Sequence, residues 1–381
     1  MRLRTLVLTL LALGCLAGAF AATQPIKIGG LFDLTGKASN VGTTTRDVAL
    51  MVVAQINEKG GVKGRKIELV VADTESEPSK AVVALHRLIE KDKVTAIIGP
   101  TTTGAAMACI PVIEEAKIPM VACVGGDAPV DPVHKWVFKT PQRTTTAVDK
   151  IYEYLRDNQM NEVALLCASD KFGQEGEALL KKQASEYRIK ILAQESFNPT
   201  DADMTAQLMK VAAVKPKTII IWTIGPAGAI IAKNAQRAKL SKGIRLMQCH
   251  GQPDHNYIKL AGLAANHTMM PATKLMVATD LSRADPQRQG LLTFTELFHK
   301  KGLGMIGTHS GYAWDAIQIV TRAMEKAGTE PEALRAAIEN TKDYVGVSGI
   351  YSMSPTDHCG LKSDSLVMIM VEKDKWKLLT K

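Results

Sequence analysis

Two doubly wound α/β lobes, each built on a mainly parallel sheet, are the fold class this sequence predicts. Three observations carry that expectation. The chain contains two successive series of strand-then-helix segments in the same order. Its central strands read as short apolar runs, as residues 94–99 do, of the kind that fill a sheet covered on both faces. Its length, 381 residues, is that of roughly two ordinary domains. Right-handed crossovers then make each series a doubly wound sheet, with ligands expected beyond the carboxyl ends of the strands.

The elements follow in chain order. Ile26–Phe32 is the first strand, and Gly42 leads into a helix over 43–58 whose apolar positions Ala49, Val52, Val53 and Ile56 keep helical spacing. Gly60, Gly61 and Gly64 stop it. Residues 66–72 form the second strand. Pro78 opens a helix with Ala81, Leu85, Leu88 and Ile89 on one face. Strand 94–99, a helix from the Thr101-Thr102-Thr103 turn, and strand 118–124 come next, with a kink or break predicted at Pro111. Residues 136–140 are extended. The second series pairs helix 145–156 with strand Glu162–Ala168, helix 174–187 with strand 190–196, helix 204–213 with strand 218–223, and helix 227–239 with strand 244–249. A short helix at 256–261 and a strand at 267–271 close it. Helices are predicted over 287–300, 310–327 and Pro331–Glu339, then strands over 345–351, 365–371 and 376–379.

One stretch concentrates the candidate chemistry. Thr101, Thr102 and Thr103 stand where a helix begins, where free N–H groups and the positive end of the helix dipole face outward. Such a turn holds a carboxylate without Lys or Arg. Gly125-Gly126, ending the following strand, lets backbone approach whatever the threonines hold. The same residues are equally served by Thr102 or Thr103 acting only as a helix cap. Phe172-Gly173, residues 223–226 and residues 249–251 lie at the other strand ends.

Composition narrows the classes. The chain is 46% hydrophobic, 22% charged and only 5% aromatic, so its core is aliphatic. Formal net charge is +9, with the basic residues dispersed and no run that marks a nucleic-acid surface. Arg2 and Arg4 precede an apolar run over 6–20, and Ala19-Phe20-Ala21 is a small-x-small site. Residues 1–21 therefore read as an export signal cut after Ala21, with lipoprotein processing at Cys15 ranked second, and the destination as the periplasm. No other stretch is long and apolar enough to span a membrane. Five cysteines remain beyond Cys15, none in a CxxC pair. Export permits a disulfide, and Cys109 with Cys123 is the nearest pair; mostly free, buried thiols are favoured.

Catalytic and metal signatures are wanting. No GxSxG, P-loop, HExxH or GxGxxG follows a strand. His250, Asp254 and His255 share the loop CHGQPDHN, three close donors that do not by themselves make a metal site. Asp357-His358 reads as an acid–base pair or, with greater weight, as turn chemistry. The expectation is a non-enzymatic binding protein without metal or cofactor.

IKIGGLFDLTGKASNVG and NEKGGVKGRKIELVVAD, followed by AIIGPTTTGA, IPMVACVGG, SDKFGQEG and GYAWDAI, resemble the periplasmic leucine/isoleucine/valine-binding proteins over nearly the whole mature chain. The resemblance implies a type I periplasmic binding fold, two lobes joined by three crossing strands near 139–142, 271–273 and 347–350. Lobe 1 would comprise 24–141 and 274–348, and lobe 2 would comprise 142–273 and 349–381. It implies the solute-binding component of an ABC importer, a monomer that traps a small carboxylate-bearing solute and presents it to a permease in the inner membrane. A ligand-binding subunit docked on a membrane signalling receptor would use the same fold. Thr103 falls on the family's carboxylate-binding serine position, Val124 on a backbone carbonyl and Gly126 on a threonine. Phe172 falls on an aromatic residue that covers the ligand. His250 stands near the acid that holds the ligand's ammonium in amino-acid receptors, and Val41 near an aromatic position. Asp254 and Asp127 are the neighbouring acids available to substitute. His309 and Tyr312 are placed at the rim of lobe 1, with ordinary helix packing favoured for Tyr312.

Overall fold

The computed structural model describes residues 24–240 and 243–379. The export signal and Cys15 lie outside the described residues. Two large sheets organise the chain. The first has strand order β2-β1-β3-β4-β5 and is wholly parallel, from β1 (Ile26–Phe32), β2 (Ile67–Asp73), β3 (Ile97–Ile98), β4 (Met120–Ala122) and β5 (Val137–Lys139). β1 pairs β2 in register from Ile26 opposite Ile67 to Phe32 opposite Asp73. The second sheet contains β6 (Glu162–Ala168), β7 (Lys190–Phe197), β8 (Thr218–Trp222), β9 (Arg245–Gln248) and β10 (Met269–Thr273), all parallel where they pair. A small hairpin of β11 (Tyr344–Val345) and β12 (Ile350–Tyr351) precedes β13 (Leu366–Glu372) and β14 (Lys375–Leu378), which extend the second sheet antiparallel beyond β10. We refer to each large sheet with its helices as a lobe.

Helices cover the sheet faces because their apolar residues recur every three to four positions. α1 (Ser39–Glu58), α2 (Pro78–His86) and α3 (Thr103–Ala116) belong to the first lobe. α4 (Thr144–Asp157) buries Ala147, Val148, Ile151, Tyr152 and Leu155 against the second sheet. α5 (Lys171–Gln183), α6 (Thr205–Ala213), α7 (Ala227–Arg237) and α8 (His255–Ala261) complete that lobe. α9 (Arg288–Lys300), α10 (Thr308–Ala327) and α11 (Pro331–Glu339) return to the first. α3 continues past Pro111 to Ala116, so the predicted break does not occur: the proline removes one N–H donor and the flanking turns carry the helix on. β3 keeps only two of six expected residues: Val94, Thr95 and Ala96 lie before it, and Gly99, at φ 96°, turns the chain away after it. A Cβ there would fall 2.0 Å from the Leu31 carbonyl, so only glycine fits. Residues 345–351, expected as one strand, fold instead as a hairpin about Gly346 and Gly349, where the Gly346 N–H meets the Gly349 carbonyl at 2.8 Å.

The chain passes between the sheets three times: after β5, after β10 and before β13. The passages are tied together. Tyr351 Oη donates to the Thr140 carbonyl at 2.7 Å and to Asp315 Oδ2 at 3.1 Å. Gln142 Nε2 donates to the Ser348 carbonyl at 2.6 Å, and Tyr312 Oη to Gln142 Oε1 at 3.2 Å. Asp315 also accepts the N–H groups of Val347 and Ser348. Residues 357–360 stay against the first sheet, where Lys139 N–H donates to the His358 carbonyl and His358 Nδ1 to that of Val137. Among the described residues no helix is long and apolar enough to cross a membrane.

Candidate functional site

In each sheet the strand order reverses beside a central strand, and the crevice there is the expected ligand position. In the first sheet that point lies between β1 and β3, whose ends lead to Asp33 and to the threonine turn. In the second it lies between β6 and β8, whose ends lead to Phe172 and Trp222. The two crevices face one another.

The threonine turn divides its labour. Thr101 donates N–H and hydroxyl to Asp33 Oδ2, and the Thr102 hydroxyl donates to Asp33 Oδ1 at 3.2 Å. Thr74 adds a hydroxyl at 2.7 Å. Asp33 is fully buried, so the anion served by Thr101 and Thr102 is the protein's own. Thr103 is free of that cluster. Its Oγ1 accepts the Gly126 N–H at 3.3 Å, and no side chain caps the helix that it begins.

Lys139, at the end of β5, is the residue that sequence reasoning missed here. It is fully buried. Its ammonium reaches the carbonyls of Gly125 and Gly126 at 2.8 Å each, the Gln142 carbonyl at 3.1 Å and Asp127 Oδ1 at 3.3 Å. Those glycine carbonyls are therefore turned down, and the N–H of Gly126 faces Thr103. Asp127 accepts Thr144 N–H at 2.8 Å and Thr145 N–H at 3.1 Å, capping the first turn of α4 across the first passage. Burial would raise its pKa, but Lys139 and the Thr145 and Thr144 donors hold it below the ordinary aspartate range.

Phe172, Trp222 and His250 form a buried ring cluster at the strand ends of the second lobe, with centroids 5.6 to 5.9 Å apart. Gly176 makes room for Trp222: a Cβ there would lie 2.3 Å from the indole Nε1. The cluster meets the Gly125-Gly126 turn. A Cβ on Gly125 would fall 2.7 Å from Phe172 Cε2 and 3.1 Å from His250 Nε2. Neither ring nitrogen of His250, nor Trp222 Nε1, has a hydrogen-bond partner among the described residues. Burial, with Lys139 nearby, pushes the His250 pKa down to about 3, so the ring is neutral at physiological pH. Glu175, one turn along α5 from Phe172, crosses to the first lobe and accepts the N–H groups of Asp127 and Ala128.

A second contact joins the lobes at the end of β9. Thr308 N–H, in the first turn of α10, donates to the Pro253 carbonyl at 2.8 Å, and His309 Nε2 donates to the Gly251 carbonyl at 3.1 Å. His255 Nδ1 donates to the Ile306 carbonyl at 2.7 Å. The cavity left between the lobes there is ≈ 20 Å³, room for about one water. Burial pushes the His309 pKa down to about 4.

The structure thus brings Thr103, Gly125, Gly126, Phe172 and His250 to one place. Val124 lies beside them with its side chain packed on Ala106 and Ala122. His309 faces the second lobe, and the Thr102 hydroxyl is committed to Asp33. Tyr312 is 2% exposed and bonds to Thr308 and Gln142, at the passages rather than the rim. Asp254 caps α8 through Asn256 N–H. Among the described residues no group of three His, Cys, Asp or Glu is placed to hold a metal ion. Cys109, Cys123, Cys167, Cys249 and Cys359 are all free and buried. Asp357 shapes a turn by accepting the N–H groups of Cys359 and Gly360.

Comparison with known proteins agrees with this architecture. A family model described as periplasmic binding protein matches residues 25–373. The chain is 25% identical over 338 residues to a leucine-, isoleucine-, valine-, threonine- and alanine-binding protein of Pseudomonas aeruginosa, covering 86% of each chain. It is 24% identical to a Leu/Ile/Val-binding protein of Rhizobium johnstonii, covering 96% of this chain and 97% of the other. An extracellular ligand-binding receptor from Rhodopseudomonas palustris HaA2 superposes with a TM-score of 0.86 at 26% identity, covering 94% of this chain and all of that one. The two facing α/β lobes and a match that spans both place this chain in the periplasmic binding protein family, with the type I fold of the branched-chain amino-acid receptors.

Proposed function

We propose that this protein is the solute-binding component of an ABC importer, a monomer that traps a small carboxylate-bearing solute between its lobes and delivers it to an inner-membrane permease. Export through the signal at 1–21 would place it in the periplasm. The lobes close about the three passages, and Thr103, the Val124 carbonyl and the Gly125-Gly126 backbone take the carboxylate end. Phe172 and His250 cover it from the second lobe, and His309 closes the far side.

One observation carries the reading of the solute. His250 is buried and neutral, set against the Gly125 backbone and between two aromatic rings. A neutral imidazole supplies one donor and one acceptor, not a counter-ion for an ammonium. The nearby acids are engaged: Asp33 with Thr74, Thr101 and Thr102, Asp127 with Lys139 and the start of α4, Glu175 with the N–H groups of Asp127 and Ala128, and Asp254 with the Asn256 N–H. An unpaired buried charge costs about 3–5 kcal/mol when its partner is removed. The arrangement therefore favours an aromatic or other organic acid without an ammonium over a branched-chain amino acid.

A thermal-shift screen of refolded, solute-free protein tests this, with aliphatic amino acids, aromatic acids and short dicarboxylates as the panel. A solute at 100 times its Kd stabilises by about 2.7 kcal/mol. Acids lacking an ammonium are expected to shift the melting temperature, and Thr103→Ala to abolish the shift. A shift with leucine or valine alone refutes the His250 argument and restores an amino-acid receptor.

A further inference from the structure

The turn at residues 125–128 has two faces. Its carbonyls at Gly125 and Gly126 point to Lys139. The successive N–H groups of Gly126, Asp127 and Ala128 go to Thr103 Oγ1 and to the two carboxylate oxygens of Glu175. Consecutive N–H groups directed away from pinned carbonyls make a concave anion site. Asp127 does not compete for it, because its own carboxylate serves Lys139, Thr144 and Thr145. Glu175 belongs to the other lobe. Its Oε2 lies 2.8 Å from the place a Cβ on Gly126 would occupy, and Thr103 Oγ1 lies 2.7 Å from that same place. The protein's own carboxylate thus sits beside the hydroxyl assigned above to the solute.

We propose that Glu175 is a built-in anion that favours the closed arrangement of the lobes over the open one. It is a positioning residue: it touches the donors of the first lobe and sets how often the cleft is closed. Hydrogen bonds to an ionised acceptor are about twice as strong as neutral ones. They are made only when the lobes meet, so they bias closed against open and leave each lobe's own packing untouched. The Ala128 bond is long, at 3.3 Å, so the Asp127 N–H carries most of the clasp.

The test needs no solute. Val83 is 67% exposed on α2 and Leu263 is 73% exposed in the second lobe, while the five cysteines of the described chain are buried. Val83→Cys and Leu263→Cys allow a dye on each lobe of the chain from residue 22 onward, refolded to remove carried-over solute. Single-molecule energy transfer then reads the closed and open populations. The parent is expected to show a measurable short-distance population. Glu175→Ala should lower the closed-to-open ratio at least tenfold, equivalent to about 1.4 kcal/mol. Glu175→Gln, which keeps shape and one carbonyl acceptor but loses charge, should fall between. Identical distributions in the parent and Glu175→Ala overturn the clasp, as does a parent that is open throughout.

Discussion

Replacing Lys139 with methionine asks whether the glycine turn is held from beneath. Methionine fills the volume of the stem, so the loss is polar rather than a cavity. Deleting one partner of a buried ion pair costs about 3–5 kcal/mol. Asp127 would keep the N–H groups of Thr144 and Thr145 and the Thr145 hydroxyl, which sets that term at about 3 kcal/mol. The Gly125 carbonyl would keep the Thr144 hydroxyl at 3.1 Å, whereas the Gly126 and Gln142 carbonyls would lose the lysine donor. Two such buried acceptors add about 1 kcal/mol each. The expected loss is about 5 kcal/mol, a large part of the 5–15 kcal/mol typical of a folded domain. Equilibrium urea unfolding of solute-free protein measures it. The double variant Lys139→Met with Asp127→Asn should be less destabilised than the two single losses summed, by at least about 1 kcal/mol. Because the Asp127 pKa is lowered, its contribution is present above the unfolded aspartate pKa and is lost as pH falls through the folded value. A loss below about 1 kcal/mol for Lys139→Met, or strict additivity, would refute the argument.

Gly125→Ala should hold the lobes apart. The new Cβ would lie 2.7 Å from Phe172 Cε2, yet Gly125 has no left-handed backbone that alanine would strain. Unfolding free energy should change by less than about 1 kcal/mol while solute affinity falls at least tenfold by calorimetry; unchanged affinity would show that the Phe172–Gly125 contact is not part of closure. Acid dependence offers another check. Burial pushes the pKa values of His250 and His309 down to about 3 and about 4, and those of Asp254 and Asp315 up to about 6. Between about pH 4 and 6 the unfolded chain holds histidine protons that the folded one lacks, so stability rises with pH; the two aspartates act in the opposite sense. Two against two, the slope from these groups is near zero. Asp315→Asn removes one aspartate and should leave stability rising by about 1.4 kcal/mol per pH unit across that window. A slope equal to the parent's would show that Asp315 does not titrate there.

Much of the scaffold was legible because uninterrupted apolar runs mark buried strands. Ile26–Phe32 and Glu162–Ala168 were expected at the bounds observed. The runs overstate the shorter strands, since Val94, Cys123 and Val124 are buried outside any ladder. Apolarity reports burial, not pairing. The site was less legible. The threonine turn was visible, but its internal anion was not: Asp33 is 68 residues away in sequence from Thr101 and meets it only because β1 pairs β3. Lys139 stands alone in WVFKT, and a cation at the end of an apolar strand was the available clue. Glu175 lies among other polar residues of an amphipathic helix, where nothing local separates a residue facing another lobe from one facing water.

The three passages, cross-tied through Asp315, Tyr351, Thr140 and Gln142, change what closure has to overcome. Two bodies on a single flexible linker must surrender much translational and rotational freedom to meet, and a bound molecule has to supply that free energy. Here each lobe is held at high effective concentration opposite the other and in one orientation. The remaining freedom is a rotation about the tied segment. Contacts with a trapped molecule can therefore register almost wholly as affinity, and a small solute with few polar groups has enough surface to hold the cleft closed.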